Sequence, residues 1–243
     1  MNALKKMDTR KVEMDRKKIF ILYSSIIMVA LLYYVDAVMQ IPYFWKSVVK
    51  ILALAMVFGL YSYRFKDNFI KESIANYRLR QGNKLVDKKR RLHLLLGVLA
   101  FFAILLVYWL TAPYMNLGNI VASLQEKYGI AREQLLYYGL YLAFGNALLE
   151  EMLFRGYVFL GLLKRMNRWY AYLFSSILFS IYHISVINTW FNPLLFLVAL
   201  LGLMLSGFLF CYLDEKNQTF LNSYFVHVCA DLAIVLIGYH IMS

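Results

Sequence analysis

Four long intervals of this chain hold no Asp, Glu, Lys or Arg: between Lys18 and Asp36, between Arg91 and Glu126, between Glu133 and Glu150, and between Arg168 and Asp214. A soluble fold spreads charge over every element that meets water, whereas a helix crossing a bilayer needs about 20 consecutive, mainly apolar residues. Composition points the same way. Of the 243 residues, 62% are hydrophobic and 16% charged, against roughly 45–50% apolar and 25% charged in an average soluble domain. The expected fold is therefore all-α, a polytopic transmembrane helical bundle. The first apolar stretch runs on past Tyr34 without a small-residue cleavage site, so it reads as a retained helix and not as a removed signal.

Seven spans of about 20 residues or more are expected at 19–39, 44–63, 92–112, 134–163, 169–187, 193–213 and 218–242. Pro42 in "QIPYFW" marks the first turn, and Pro113 follows the third span. The expected organisation is a basic tail over 1–18, three N-terminal spans over 19–112 with a basic loop at 64–91, an external loop at 113–133, and a four-helix membrane core over 134–243. Lys46 and Lys50 fall near the outer end of the second span, where their ammonium groups are expected to snorkel outward.

The net charge of +12 resides between spans. Residues 1–18 carry seven Lys/Arg against three acids, and residues 64–91 carry ten against three. Both stretches are expected on the cytoplasmic side, with the N-terminus there, drawn to anionic lipid headgroups. No aromatic-basic module of a nucleic-acid binder is present, so the partner expected from the charge is the lipid bilayer, with no nucleic acid. Cys211 and Cys229 lie in apolar segments and read as small buried hydrophobes, not as a disulfide framework.

Against this background "NALLEEMLFRGYVF", residues 146–159, sets Glu150, Glu151 and Arg155 inside the fourth span. Ionisable groups at that depth cost at least a few kcal/mol even on lenient scales, and by default face inward, pair and function. Glu151 and Arg155 are spaced i, i+4 with the acid first, the better order for a helical ion pair. Glu150 points about 100° away and must face another helix. The other polar candidates are His183, one turn after Phe179 in the fifth span, and His227 with Asp231, four apart in the seventh. Counted from the cytoplasmic ends at about 1.5 Å per residue, Glu150 lies about 20 Å deep, His183 about 21 Å, His227 about 14 Å and Asp231 about 20 Å. A shared polar layer between the fourth, fifth and seventh spans is therefore expected. Taken singly, each of these residues also fits a structural role as helix-helix glue.

The ordered set Glu150-Glu151-x-x-x-Arg155, Phe179-x-x-x-His183 and His227-x-x-x-Asp231 resembles the three motifs of the CAAX-protease and bacteriocin-processing family of intramembrane proteases, over about residues 134–242. The HExxH, GxGD and rhomboid-type serine signatures of other intramembrane proteases are absent. The resemblance implies a glutamate-dependent endopeptidase acting on a membrane-associated peptide or protein, with its site in a cavity open to cytoplasm and membrane; the usage of Lys, Tyr, Phe and Ile points to a bacterial plasma membrane as the expected location. Glu150, His183, His227 and Asp231 would be its catalytic residues, with Glu151, Arg155 and Phe179 in support.

In chemical terms, Glu150 is the best base for a hydrolytic water, His183 can hold the same water, and His227 can face the carbonyl oxygen. Family members often carry Asn where this chain has Asp231. An ionised carboxylate cannot donate to an oxyanion, so Asp231 is either a neutral donor or the group that orients His227, and the second is the expectation. Two Glu, two His and an Asp also suit zinc, with Glu150, His183 and His227 as ligands, and spacing does not decide this. The resemblance implies a metal-free site without cofactor. The alternative to an enzyme is a bacteriocin self-immunity or membrane scaffold protein that uses the same fold to bind. A transporter fits less well, since no Pro interrupts the segments around Glu150, His183 and His227.

Overall fold

The computed structural model describes residues 2–79, 84–188 and 190–243. Nine helical units, in our numbering, account for nearly all of them: α1 (Asn2–Ala37), α2 (Tyr43–Phe65), α3 (Phe69–Leu79), α4 (Lys84–Thr111), the short α5 (Leu117–Ala122), a composite helix α6 over 135–163, α7 (Arg168–Ile187), α8 (Pro193–Glu215) and α9 (Leu221–Ile241). No strand occurs among the described residues. A single antiparallel bridge, Met115 to Phe191, ties the two loops at one end of the bundle.

Six of these units are long and apolar enough to cross a membrane: α1 within Lys11–Ala37, α2, α4 within Leu92–Tyr114, α7, α8 and α9. The chain is an integral membrane protein. The segment expected as the fourth span is the helix α6, but π-helical turns interrupt it, and none of its purely α-helical pieces reaches spanning length. Two expected boundaries move. The basic stretch 1–18 is not a separate tail: from Asn2 it is the first part of α1, whose 36 residues rise about 54 Å and outrun the hydrocarbon layer. The expected loop at 64–91 contains α3 and the first turns of α4, and its residues 80–83 lie outside the described residues.

The core is formed where α1, α2, α6, α7 and α8 meet, around Met28, Phe58, Tyr157, Phe159, Tyr172 and Phe210. The α4 helix stands outside it and packs along α9, where Gly97 lets the two approach: a Cβ at Gly97 would come within 2.8 Å of Cys229 Sγ. Most of the large apolar side chains of α4, among them Leu95, Phe102 and Trp109, are exposed to the surroundings, as lipid-facing positions are. Both cysteines are free, Cys211 buried and Cys229 partly so.

The lysines of α2 do not snorkel. Lys46 and Lys50 are 1% and 7% exposed and turn inward to the end of α1, where Lys50 Nζ pairs with Asp36 Oδ2 at 2.7 Å and Lys46 Nζ donates to the Asp36 carbonyl at 3.0 Å. Snorkelling needs only a route to the interface; a carboxylate within reach inside the bundle outcompetes it. Asp214, expected in the link after the sixth span, is also inside: it belongs to α8 and is fully buried.

Candidate active site

The two glutamates stand on Ala147–Glu151, one α-helical turn held between π-helical stretches at Tyr141–Asn146 and Met152–Leu160. A π-helical turn breaks the i→i−4 ladder and is often found at functional sites, provided the displaced backbone groups find partners. Here α7 supplies one: Ser175 Oγ donates to the Phe154 carbonyl at 2.8 Å.

Glu150 is buried and faces α7 and α9. Its Oε1 accepts from Asn146 Nδ2 at 2.6 Å. Its Oε2 lies 3.8 Å from His183 Nε2 and 3.8 Å from His227 Nε2, and among the described residues it accepts no hydrogen bond. The tautomer of His183 follows from its other nitrogen. Nδ1 is 2.8 Å from the Phe179 carbonyl, a group that can only accept, so Nδ1 carries the proton and the neutral ring presents an Nε2 lone pair towards Glu150.

His227 is oriented from behind by Glu151. The Nδ1···Glu151 Oε1 separation is 2.8 Å, while Asp231 Oδ1 is 3.6 Å from Nε2, on the reactive side of the ring. The position behind the ring expected for Asp231 is thus taken by Glu151, and Asp231 lies with Glu150 on the Nε2 side. The reason is reach: at i, i+4 on its own helix, Asp231 meets the forward edge of the imidazole, whereas Glu151 comes across from α6 to the rear edge.

Glu151 consequently does more than pair with Arg155. Its Oε2 accepts from Ser223 Oγ at 2.6 Å and lies 3.3 Å from Arg155 Nε. Arg155 is fully buried and its guanidinium is stacked: Cζ lies 4.1 Å from the Phe179 ring centre and 4.8 Å from that of Phe210. Phe179 also meets the His183 ring at 4.6 Å and the His227 ring at 5.9 Å between centroids. It is the apolar wall that all three basic groups share.

The structure thus brings together Glu150, His183, His227 and Asp231, with Glu151, Arg155 and Phe179 directly behind them. Three further residues were not singled out in the sequence: Asn146, Ser223 and Asp214. The first two had a legible signal, since each sits one turn before a motif residue on the same helical face, Asn146 before Glu150 and Ser223 before His227. Asp214 had none.

Residues 132–233 match the Rce1-like family, described as type II CAAX prenyl endopeptidase Rce1-like. The match covers α6, α7, α8 and α9 as far as residue 233, hence every residue of the three motifs, and it leaves α1–α5 outside. The resemblance to the CAAX-protease and bacteriocin-processing family is shown over that segment. No curated protein and no solved structure matches the chain.

Proposed function

We propose that this chain is an intramembrane endopeptidase that hydrolyses a membrane-associated peptide or protein with a water activated by Glu150 and His183, without a metal. The observation that supports this reading most is the convergence of Glu150 Oε2, His183 Nε2 and His227 Nε2 from three helices, with 3.8 Å from the carboxylate oxygen to each nitrogen. That spacing is too long for a direct bond and is spanned by one oxygen at normal hydrogen-bond length.

In the reaction, Glu150 Oε2 and His183 Nε2 are both acceptors, so they take the two protons of a water and turn its lone pair outward. Glu150 removes one proton as the oxygen adds to the scissile carbonyl. The oxyanion that forms accepts from Nε2–H of cationic His227, whose Nδ1–H is given to Glu151; only the cation carries both protons. The C–N bond breaks as Glu150 returns its proton to the leaving amine. Arg155 and Phe179 hold Glu151 and the two imidazoles in this register. The four helices after residue 134 would form the catalytic core, and the three N-terminal spans would serve packing and topology.

Comparative analysis of membrane and secreted peptides from cells carrying wild type or Glu150→Ala tests the reading: uncleaved precursors should accumulate in the variant, and identical peptide sets would refute it. Purified protein should keep its activity in strong chelator; loss that added zinc restores would make Glu150, His183 and His227 ligands instead. We further propose a cytoplasmic N-terminus and an external C-terminus, from the basic residues of 1–18 and the number of spans. Reporter fusions at the two ends should report opposite sides.

A further inference from the structure

Behind Glu151 lies a second buried carboxyl that the reaction above does not use. Ser223 Oγ is 2.6 Å from Glu151 Oε2, 2.5 Å from Asp214 Oδ2 and 3.0 Å from the Phe220 carbonyl. Three acceptor oxygens surround a hydroxyl that owns one proton. Both carboxyl contacts fall in the range of O–H···O⁻ bonds, about 2.5–2.7 Å, and each such contact needs a proton between its oxygens. Ser223 supplies one. The carbonyl of Phe220 can supply none, so the second must come from a carboxyl group.

The surroundings decide which carboxyl holds it. Glu151 faces Arg155 at 3.3 Å and His227 Nδ1 at 2.8 Å, two groups that favour an anion. Asp214 has the backbone N–H of Ser223, 3.1 Å from Oδ1, and the same hydroxyl. Asp214 and Glu151 are both fully buried, and two unscreened carboxylates on one hydroxyl would repel across a low-dielectric interior.

We infer that Asp214 is a neutral carboxylic acid that donates to Ser223, which in turn donates to the Glu151 anion, so that α8 positions His227 through the chain Asp214, Ser223, Glu151. Asp214 and Ser223 are positioning residues: neither reaches the reacting atoms. The protonation of Asp214 stands on the hydrogen-bond count alone; its consequence for turnover rests on the endopeptidase reading.

Two measurements on the full-length protein in lipid nanodiscs separate these. Infrared difference spectra should show a protonated-acid carbonyl stretch in the wild type that Asp214→Asn removes and Glu151→Gln leaves in place. A band lost in Glu151→Gln but kept in Asp214→Asn overturns the assignment, whether or not the protein proves to be a peptidase. On a cleavable membrane peptide, Asp214→Asn should stay within about threefold of wild-type kcat, because its amide donates to Ser223 Oγ and its oxygen accepts from Ser223 N–H just as the neutral acid does. Ser223→Ala should lower kcat by roughly tenfold or more, the loss expected for one hydrogen bond to a charged group, with KM unchanged, and Ser223→Thr should recover it. Asp214→Asn as inactive as Ser223→Ala, or failing to accumulate, would mean that the acid is ionised and the chain wrongly drawn.

Discussion

Two of the groups of buried charge among the described residues are built differently. In the N-terminal half, Asp36, Lys46 and Lys50 turn their polar atoms on one another, with an ion pair at 2.7 Å. In the C-terminal half, Glu150, His183 and His227 aim theirs at a common point, with 3.8 Å left between the carboxylate oxygen and each nitrogen. Tyr182 stands between the groups, its ring 5.8 Å from Lys50 Nζ on one side and 5.1 Å from the His183 ring on the other. Burial of charge is common to both, so burial does not distinguish a site from a structural clasp. Whether the polar atoms are spent on each other does.

This contrast is broken or sharpened most severely at Glu150. Glu150→Gln should lower kcat on a membrane peptide by roughly 10³-fold, within the range general acid-base groups supply, at normal abundance in the membrane. A variant retaining a tenth of the activity would move Glu150 to the structural side of the comparison. Next in size is the ranking behind His227. Glu151→Gln should cost roughly 10²-fold in kcat, the lower end of what positioned acid-base groups supply, and Asp231→Asn less than about tenfold, because Asp231 lies before the ring and Asn there can still donate. The reverse order would return the orienting role to Asp231.

The clasp should fail differently. Lys50→Met orphans the Asp36 carboxylate, at about 3–5 kcal/mol of stability, the usual cost of leaving a buried charge alone. Membrane abundance and thermal unfolding in mild detergent should both fall. For Lys50→Met the activity per folded molecule should be unchanged, and Asp36→Leu added to it should recover most of the abundance. If Lys50→Met instead reduced kcat as deeply as Glu150→Gln, the two groups would be one site.

The sequence by itself determined the class of fold and the membership of the polar layer. Spans were legible because hydrocarbon tolerates so few charges that their intervals print the helices directly, and Glu150, His183, His227 and Asp231 were legible because an ionisable group among apolar residues has so few explanations. Helical spacing also paired Glu151 with Arg155, since i, i+4 neighbours meet on any helix. Tertiary structure alone decided the rest. The π-helical turns around Ala147–Glu151 depend on partners for displaced carbonyls, such as Ser175 on α7, which no local pattern reveals. Lys46 and Lys50 turned inward because Asp36 waits on another helix, and Asp214 left the solvent because Ser223 of α9 packs onto it. Glu151, and not Asp231, came to lie against Nδ1 of His227 because the packing of α6 against α9 sets which edge of the ring each acid meets. Spacing along one helix names the face a side chain occupies; only the packing of helices says what that face meets, and the energy of a buried charge is settled by what it meets.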